Sequence, residues 1–356
     1  MIIFSPGPAN ISERVRKAMT LPDICHRDTE FTEMLDEVRS RLLKVCSVSK
    51  GYSSVVFTGS GTAAIESAIS SLNGAVRKIA IISNGVYGTR AEQVAGIIGI
   101  DRDVFSSPVD EPLPLNEVEK FIKGSKADVA YLVHHETTTG LLNPLKEIAK
   151  IAKASGKFVM VDGVSSIGGE ELDLPGWGVD LIIGSANKCI RGVPGLSFIV
   201  INSALIKKLK PRKKINYYLD LITHLEKEDG GETPFTPAVP AFFAFREALR
   251  EILEEGVENR IGNYKKISKQ LRDGLKSLGL KILLSEKISS NTMTSVVLPG
   301  GMSYDELHLK CKEKGFVVYN AQGELKGKVF RLGTVGIITP EDIKEFLKVL
   351  KGILNK

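Results

Sequence analysis

Residues 157–201 read KFVMVDGVSSIGGEELDLPGWGVDLIIGSANKCIRGVPGLSFIVI, three short apolar runs separated by polar, glycine-rich turns. KFVMVD (157–162), DLIIGS (180–185) and LSFIVI (196–201) are rich in Val and Ile and bounded by turn residues, the pattern of strands covered on both faces. The same kind of run occurs upstream as SVVFT (54–58), KIAIIS (78–83) and DVAYLV (128–133), and all six are expected to be buried parallel strands. Helical periodicity fills the gaps at 62–72, 88–98 and 145–155, the last opening at Pro144 and closing near Gly156. This alternation predicts an α/β fold with a large three-layer α/β/α domain built on a mostly parallel sheet.

Downstream the pattern changes. FREALREILEEG (245–256) and NYKKISKQLRDGLKSLG (263–279) read as long charged amphipathic helices, followed by the apolar segments KILL (281–284), TSVVL (294–298) and FVVY (316–319). A smaller C-terminal α+β domain over residues 246–356 is therefore expected beside an N-terminal arm and large domain over 1–245. No linker rich in Gly, Ser or Pro separates them.

The 356 residues are 43% apolar and 25% charged, ordinary values for a globular protein. With 48 basic and 42 acidic side chains the net charge is +6, too small an excess to argue for nucleic acid, and the basic run KKLKPRKK (207–214) reads as solvated surface. Cys25, Cys46, Cys189 and Cys311 lie far apart with no CxxC pair, which favours neither a disulfide framework nor a metal site. No secretory signal or membrane span is legible, so a cytoplasmic setting is expected.

In open α/β sheets ligands sit beyond the carboxyl ends of the strands. Four loops there carry unexplained polar groups. TGSGTAAIES (58–67) opens a helix with Gly and hydroxyl residues, a turn suited either to a phosphate or simply to tight packing. VDGVSSIGG (161–169) buries Asp162 at a strand end, and GSANKCIRGVPG (184–195) places Lys188 one loop beyond the next strand. Those two could form a structural ion pair. HHETTTGLLNP (134–144) gathers Glu136 and three threonines. Pyridoxal 5'-phosphate would use all four loops, having a phosphate for the Gly/Ser/Thr turn, an aldehyde for the lysine and a ring nitrogen for the carboxylate.

The order GSGT, NGVYG, HHETTTG, VDGVSS and SANK resembles the class V, fold type I aminotransferases along nearly the whole chain. Within them, SPGPANIS (5–12), ICHRDTEF (24–31), ETTTGLLNP and NKCIRGVPG resemble the branch that moves an amino group from 2-aminoethylphosphonate to pyruvate, giving phosphonoacetaldehyde and alanine. The neighbouring branch holds alanine/serine:glyoxylate and serine:pyruvate enzymes. A cysteine desulfurase fits less well, because Asn187 precedes the lysine where a His is usual and Cys311 sits in a helical pattern. A non-catalytic ligand-binding protein on the same scaffold is the alternative from another class.

The resemblance implies roles. Lys188 would be the internal-aldimine lysine and proton shuttle, and Asp162 the partner of the pyridine nitrogen. Ser60, Gly61 and Thr62, with Asn187, would hold the phosphate. Tyr87 and Val164 would clamp the two faces of the ring. Thr137 would serve its 3'-oxygen side, with Thr138 and Thr139 as one-residue alternatives. Thr233 and Thr236 would cross to the neighbouring subunit's phosphate, which implies a homodimer with shared active sites. Arg331 would grip the substrate's anion, with His26, Arg27 and Arg191 as further cationic candidates for a phosphonate.

Overall fold

The computed structural model describes residues 1–48 and 50–354. A seven-stranded sheet runs through its centre in the order 52–58, 196–202, 181–185, 158–162, 129–133, 79–83, 102–106. All six expected runs are strands of it. Their alternate residues enter two cores: Val56, Ala130, Val159, Ile182 and Phe198 pack with helices Thr29–Val45, Leu145–Ala154 and Val239–Glu255, whereas Phe57, Tyr131, Met160 and Ile183 pack with Gly61–Ser70 and Val86–Ile98. Burial on both faces explains why these strands read as continuous apolar runs.

Two expectations need correcting. The strand Leu196–Asn202 runs antiparallel to both neighbours, not parallel. Its link from Ser185 is ten residues with no crossover helix, too short to return the chain to the starting end of the sheet. The edge strand Arg102–Ser106 was not foreseen, since RDVFS is only half-buried and lacks the apolar run.

The C-terminal region forms a three-stranded antiparallel sheet in the order Met293–Val297, Val329–Gly333, Tyr319–Asn320. KILL contributes only an isolated bridge between Ile282 and Val296, and FVVY splits between two sheets. Phe316–Val317 pairs with the N-terminal Ile2–Ile3, and Phe4 is buried in this C-terminal core. From there residues 5–9 turn back toward the carboxyl ends of the central strands. The Ala9 amide donates to the Asn187 carbonyl at 3.1 Å, tying the arm to the loop that carries Lys188.

Candidate active site

Asp162 is the last residue of Phe158–Asp162, and its carboxylate is buried. Its Oδ1 accepts from the Val164 amide at 2.9 Å. Burial pushes its carboxyl up to about 6, opposed by that amide, Arg90, Lys188 and the Tyr131 hydroxyl. One strand over, the loop after Leu181–Ser185 projects Lys188 into the same cavity, of about 170 Å³. The two form no ion pair there: the lysine Nζ donates instead to the Pro6 carbonyl at 3.0 Å. Burial holds the amine below the ordinary lysine pKa, which favours the neutral, nucleophilic form.

The opposite wall is the start of helix Gly61–Ser70. Ser60 is its N-cap and makes no side-chain capping bond; the Ala63 amide is taken by the Ser60 carbonyl at 2.8 Å, which leaves the Gly61 and Thr62 amides for an anion. Space at Gly61 is tight, because a Cβ there would lie 3.0 Å from Val164 Cγ2. Ser60, Gly61, Thr62, Tyr87, Asp162, Val164, Asn187 and Lys188 all line this cavity, joined by Ile65, Arg90 and Ser185. Ser185 donates to Asn187 Oδ1 at 2.6 Å, which orients that amide.

The threonine loop divides its work. Thr138 Oγ donates to Glu136 at 2.6 Å and accepts from the Val86 amide, and Thr139 Oγ donates to the Val109 carbonyl at 2.9 Å. Only Thr137 keeps a buried hydroxyl without a partner. Of the three positions considered for the cofactor's 3'-oxygen side, the Thr138 and Thr139 hydroxyls are thus already engaged within the protein. Glu136 instead accepts from the Tyr87 and Thr138 amides at 3.2 and 3.0 Å, fixing the helix start that presents Tyr87.

Arg331, mid-strand in Val329–Gly333, is buried and anchored by two backbone carbonyls: Nε donates to Asn320 at 2.9 Å and Nη1 to Thr137 at 2.7 Å. Neither Arg331 nor Thr137 lines the cavity of Lys188 and Asp162, and neither carbonyl bond uses the Arg331 Nη2. Thr233 and Thr236 do not line this chain's cavity. The Thr233 hydroxyl is buried without a partner and Thr236 is exposed. The further cationic candidates lie elsewhere too. Arg191 donates to Tyr264 at 2.8 Å and pairs with Glu255, while Arg27 is held by the Thr233 carbonyl at 2.9 Å and by Glu232. Neither they nor His26 line the cavity. Among the described residues no group of three or more His, Cys, Asp or Glu could hold a metal ion, and no helix is long and apolar enough to cross a membrane.

Residues 9–324 match the family described as Aminotransferase class-V. The chain belongs to that family. It is 36% identical over 357 residues to a protein of Vibrio vulnificus (strain YJ016) named 2-aminoethylphosphonate--pyruvate transaminase, covering 98% of this chain and 96% of that one. A Syntrophobacter fumaroxidans protein of the same name is 34% identical, covering 100% and 96%. Among solved structures, alanine--glyoxylate aminotransferase from Nostoc sp. superposes with a TM-score of 0.94 at 29% identity, over 99% of this chain and 95% of that one. The protein is a class V aminotransferase of the fold type I architecture.

Sequence reasoning did not single out Arg90 or Ser185, and it quoted the arm segment SPGPANIS without placing it at the lysine. Arg90 follows Tyr87 by three residues, so helical spacing alone would have put both on one face. No spacing signal tied the arm to Lys188. Gly7, at φ +141°, passes so close that a Cβ would meet Lys188 Nζ and Cδ at 2.5 Å. Gly7→Ala is expected to displace the lysine and reduce covalent cofactor loading by at least about tenfold, as read by borohydride trapping and mass spectrometry, with the fold retained by circular dichroism. Undiminished trapping would mean that the arm yields easily.

Proposed function

We propose that the enzyme binds pyridoxal 5'-phosphate and transfers the amino group of 2-aminoethylphosphonate to pyruvate. The observation that carries this is the convergence, in one small cavity, of an open helix N-terminus, a buried carboxylate and a buried lysine amine with no acidic partner. Each matches one group of the cofactor, and the orphaned Thr137 hydroxyl supplies a further polar contact. The names of the relatives at 34–36% identity supply the donor and acceptor.

Ser60, Gly61, Thr62 and Asn187 would hold the phosphate, Tyr87 and Val164 would bracket the ring, and Thr137 would lie at its 3'-oxygen side. Asp162 would pair with the ring nitrogen and keep it cationic. When bound, the cationic ring draws electron density from the substrate carbon that bears the amine. Lys188 Nζ would take the proton from that carbon in the first half-reaction and, in the second, would deliver a proton to the carbon of pyruvate that gains the amine. Arg331 holds the phosphonate in one half-reaction and the carboxylate of pyruvate in the other. The arm residues Pro6 and Gly7 cover the lysine and limit water at its amine.

The proposal extends to a cytoplasmic homodimer in which Thr233 and Thr236 reach the neighbouring subunit's phosphate, with a large domain over 1–245 and a small one over 246–356. Supporting the dimer, Tyr217 and Tyr218 are exposed and pack on Phe235 in the same segment. All four cysteines are free, as a reducing compartment requires.

With pyruvate as acceptor, kcat/KM is expected to be higher for 2-aminoethylphosphonate than for alanine, serine or aspartate. Arg331→Lys should raise KM for both donor and pyruvate about tenfold or more, because it loses the two-pronged contact and both carbonyl anchors. The likeness to alanine--glyoxylate aminotransferase carries the second reading. Clear preference for alanine or serine with glyoxylate, in the same steady-state assays, would establish it in place of the first.

A further inference from the structure

We infer that Arg90 is a counter-ion for the cofactor's phosphate, a reading that rests on the cofactor proposed above. Arg90 lies in helix Val86–Ile98, half-buried, and lines the cavity of Lys188 and Asp162. Its Nη1 donates to Thr62 Oγ1 at 3.3 Å, which brings the guanidinium to the open first turn of helix Gly61–Ser70. Its plane is also fixed from below, with Cζ 4.6 Å from the centroid of the Tyr87 ring. A partly desolvated guanidinium needs an anion, and among the described residues no carboxylate comes within 4 Å of this one. Even Glu324, which shares an adjacent outer pocket with Arg90, stays beyond that distance.

The charge count in the cavity points the same way. Arg90 is the one fixed cation and Asp162 the one carboxylate among the lining residues. Once Asp162 pairs with a ring cation and Lys188 is joined to an aldehyde, Arg90 is left uncompensated at the helix N-terminus. A phosphate dianion there would be met by three kinds of donor: the first-turn amides, the Thr62 hydroxyl and a guanidinium fork. Arg331 is anchored to the Asn320 and Thr137 carbonyls outside the lining of this cavity, so the two arginines would divide cofactor and substrate anions between them.

The test separates the phosphate from the ring. The full chain, stripped of cofactor, is titrated with pyridoxal 5'-phosphate and, separately, with pyridoxal, which has the aldehyde and ring but no phosphate. Uptake is followed by the visible absorbance of the bound compound. Arg90→Gln should weaken the phosphorylated compound about tenfold to a hundredfold, the range for losing a charge-assisted hydrogen bond. It should leave pyridoxal within about twofold of the wild-type chain, which also shows that the variant is folded. Arg90→Lys should recover part of the loss, and inorganic phosphate should compete less well in Arg90→Gln than in wild type. Equal weakening of both compounds would overturn the proposal, assigning Arg90 to support of the Tyr87 ring. So would unchanged binding of both. A wild-type chain that takes up neither compound would overturn the cofactor reading itself.

Discussion

Lys188→Ala is expected to retain the fold, to bind pyridoxal 5'-phosphate without a covalent link, and to lose about four orders of magnitude in turnover. The size follows from two functions failing together. Nothing else lining the cavity offers an amine: Arg90 is a guanidinium, and His135, outside the lining, is held by the Ser165 carbonyl at 3.0 Å and pushed down to about 4 by burial. The proton on the substrate's amine-bearing carbon then has no base poised to take it. Loss of borohydride trapping checks the first function, and single-turnover rates with 2-aminoethylphosphonate check the second. Stability should change little or improve, because the variant removes a buried amine whose only hydrogen bond is to Pro6. Transamination retained at a tenth of the wild-type rate would remove Lys188 from the mechanism.

What could be read from the sequence depended on how local each signal was. The central strands were legible because burial on two faces forces unbroken Val/Ile runs, as in Val129–Val133 and Leu181–Ser185. Direction was not legible. Leu196–Asn202 carries the same composition as its parallel neighbours, and only the ten-residue link betrays its reversal. Arg102–Ser106 escaped notice because an edge strand shares its residues with solvent.

The cavity itself was legible at the strand ends, where Asp162 and Lys188 interrupt apolar sequence. The threonine loop shows where such reasoning overreaches. Three hydroxyls in a row look like ligands, yet Thr138 bonds Glu136 and the Val86 amide at a helix start and Thr139 bonds the Val109 carbonyl, and composition does not reveal which hydroxyl lacks a partner. The contact between Gly7 and Lys188 spans half the chain and depends on the arm's pairing with Phe316–Val317. No periodicity encodes that. The arm does show how the C-terminal layer is coupled to the site: Ile2–Ile3 and Phe4 are fixed in it, while Pro6 touches the lysine amine.

Asp162→Asn separates the cost of the site from its use. In the wild-type chain without cofactor, the carboxyl titrates at about 6 when folded against 3.8 for an ordinary aspartate. Its folded pKa is raised, so between those values the folded state holds a proton that the unfolded state has released, and stability falls as pH rises. Above pH 6 the full cost stands, about 3 kcal/mol for a shift of that size. Asparagine can keep the bond from the Val164 amide and carries no charge to desolvate. The cofactor-free variant should therefore melt higher than cofactor-free wild type at pH 7, and the gap should close as pH falls toward 4. With cofactor the order reverses, since a cationic ring nitrogen repays the buried carboxylate and an amide cannot hold that nitrogen charged. Turnover of the variant should fall by about 10²- to 10³-fold, the scale for losing one fixed electrostatic partner of the developing charge. Calorimetry of both proteins with and without cofactor, at pH 4 and 7, reads the first effect, and kcat reads the second. A variant that is less stable without cofactor and still turns over normally would make Asp162 a purely structural aspartate.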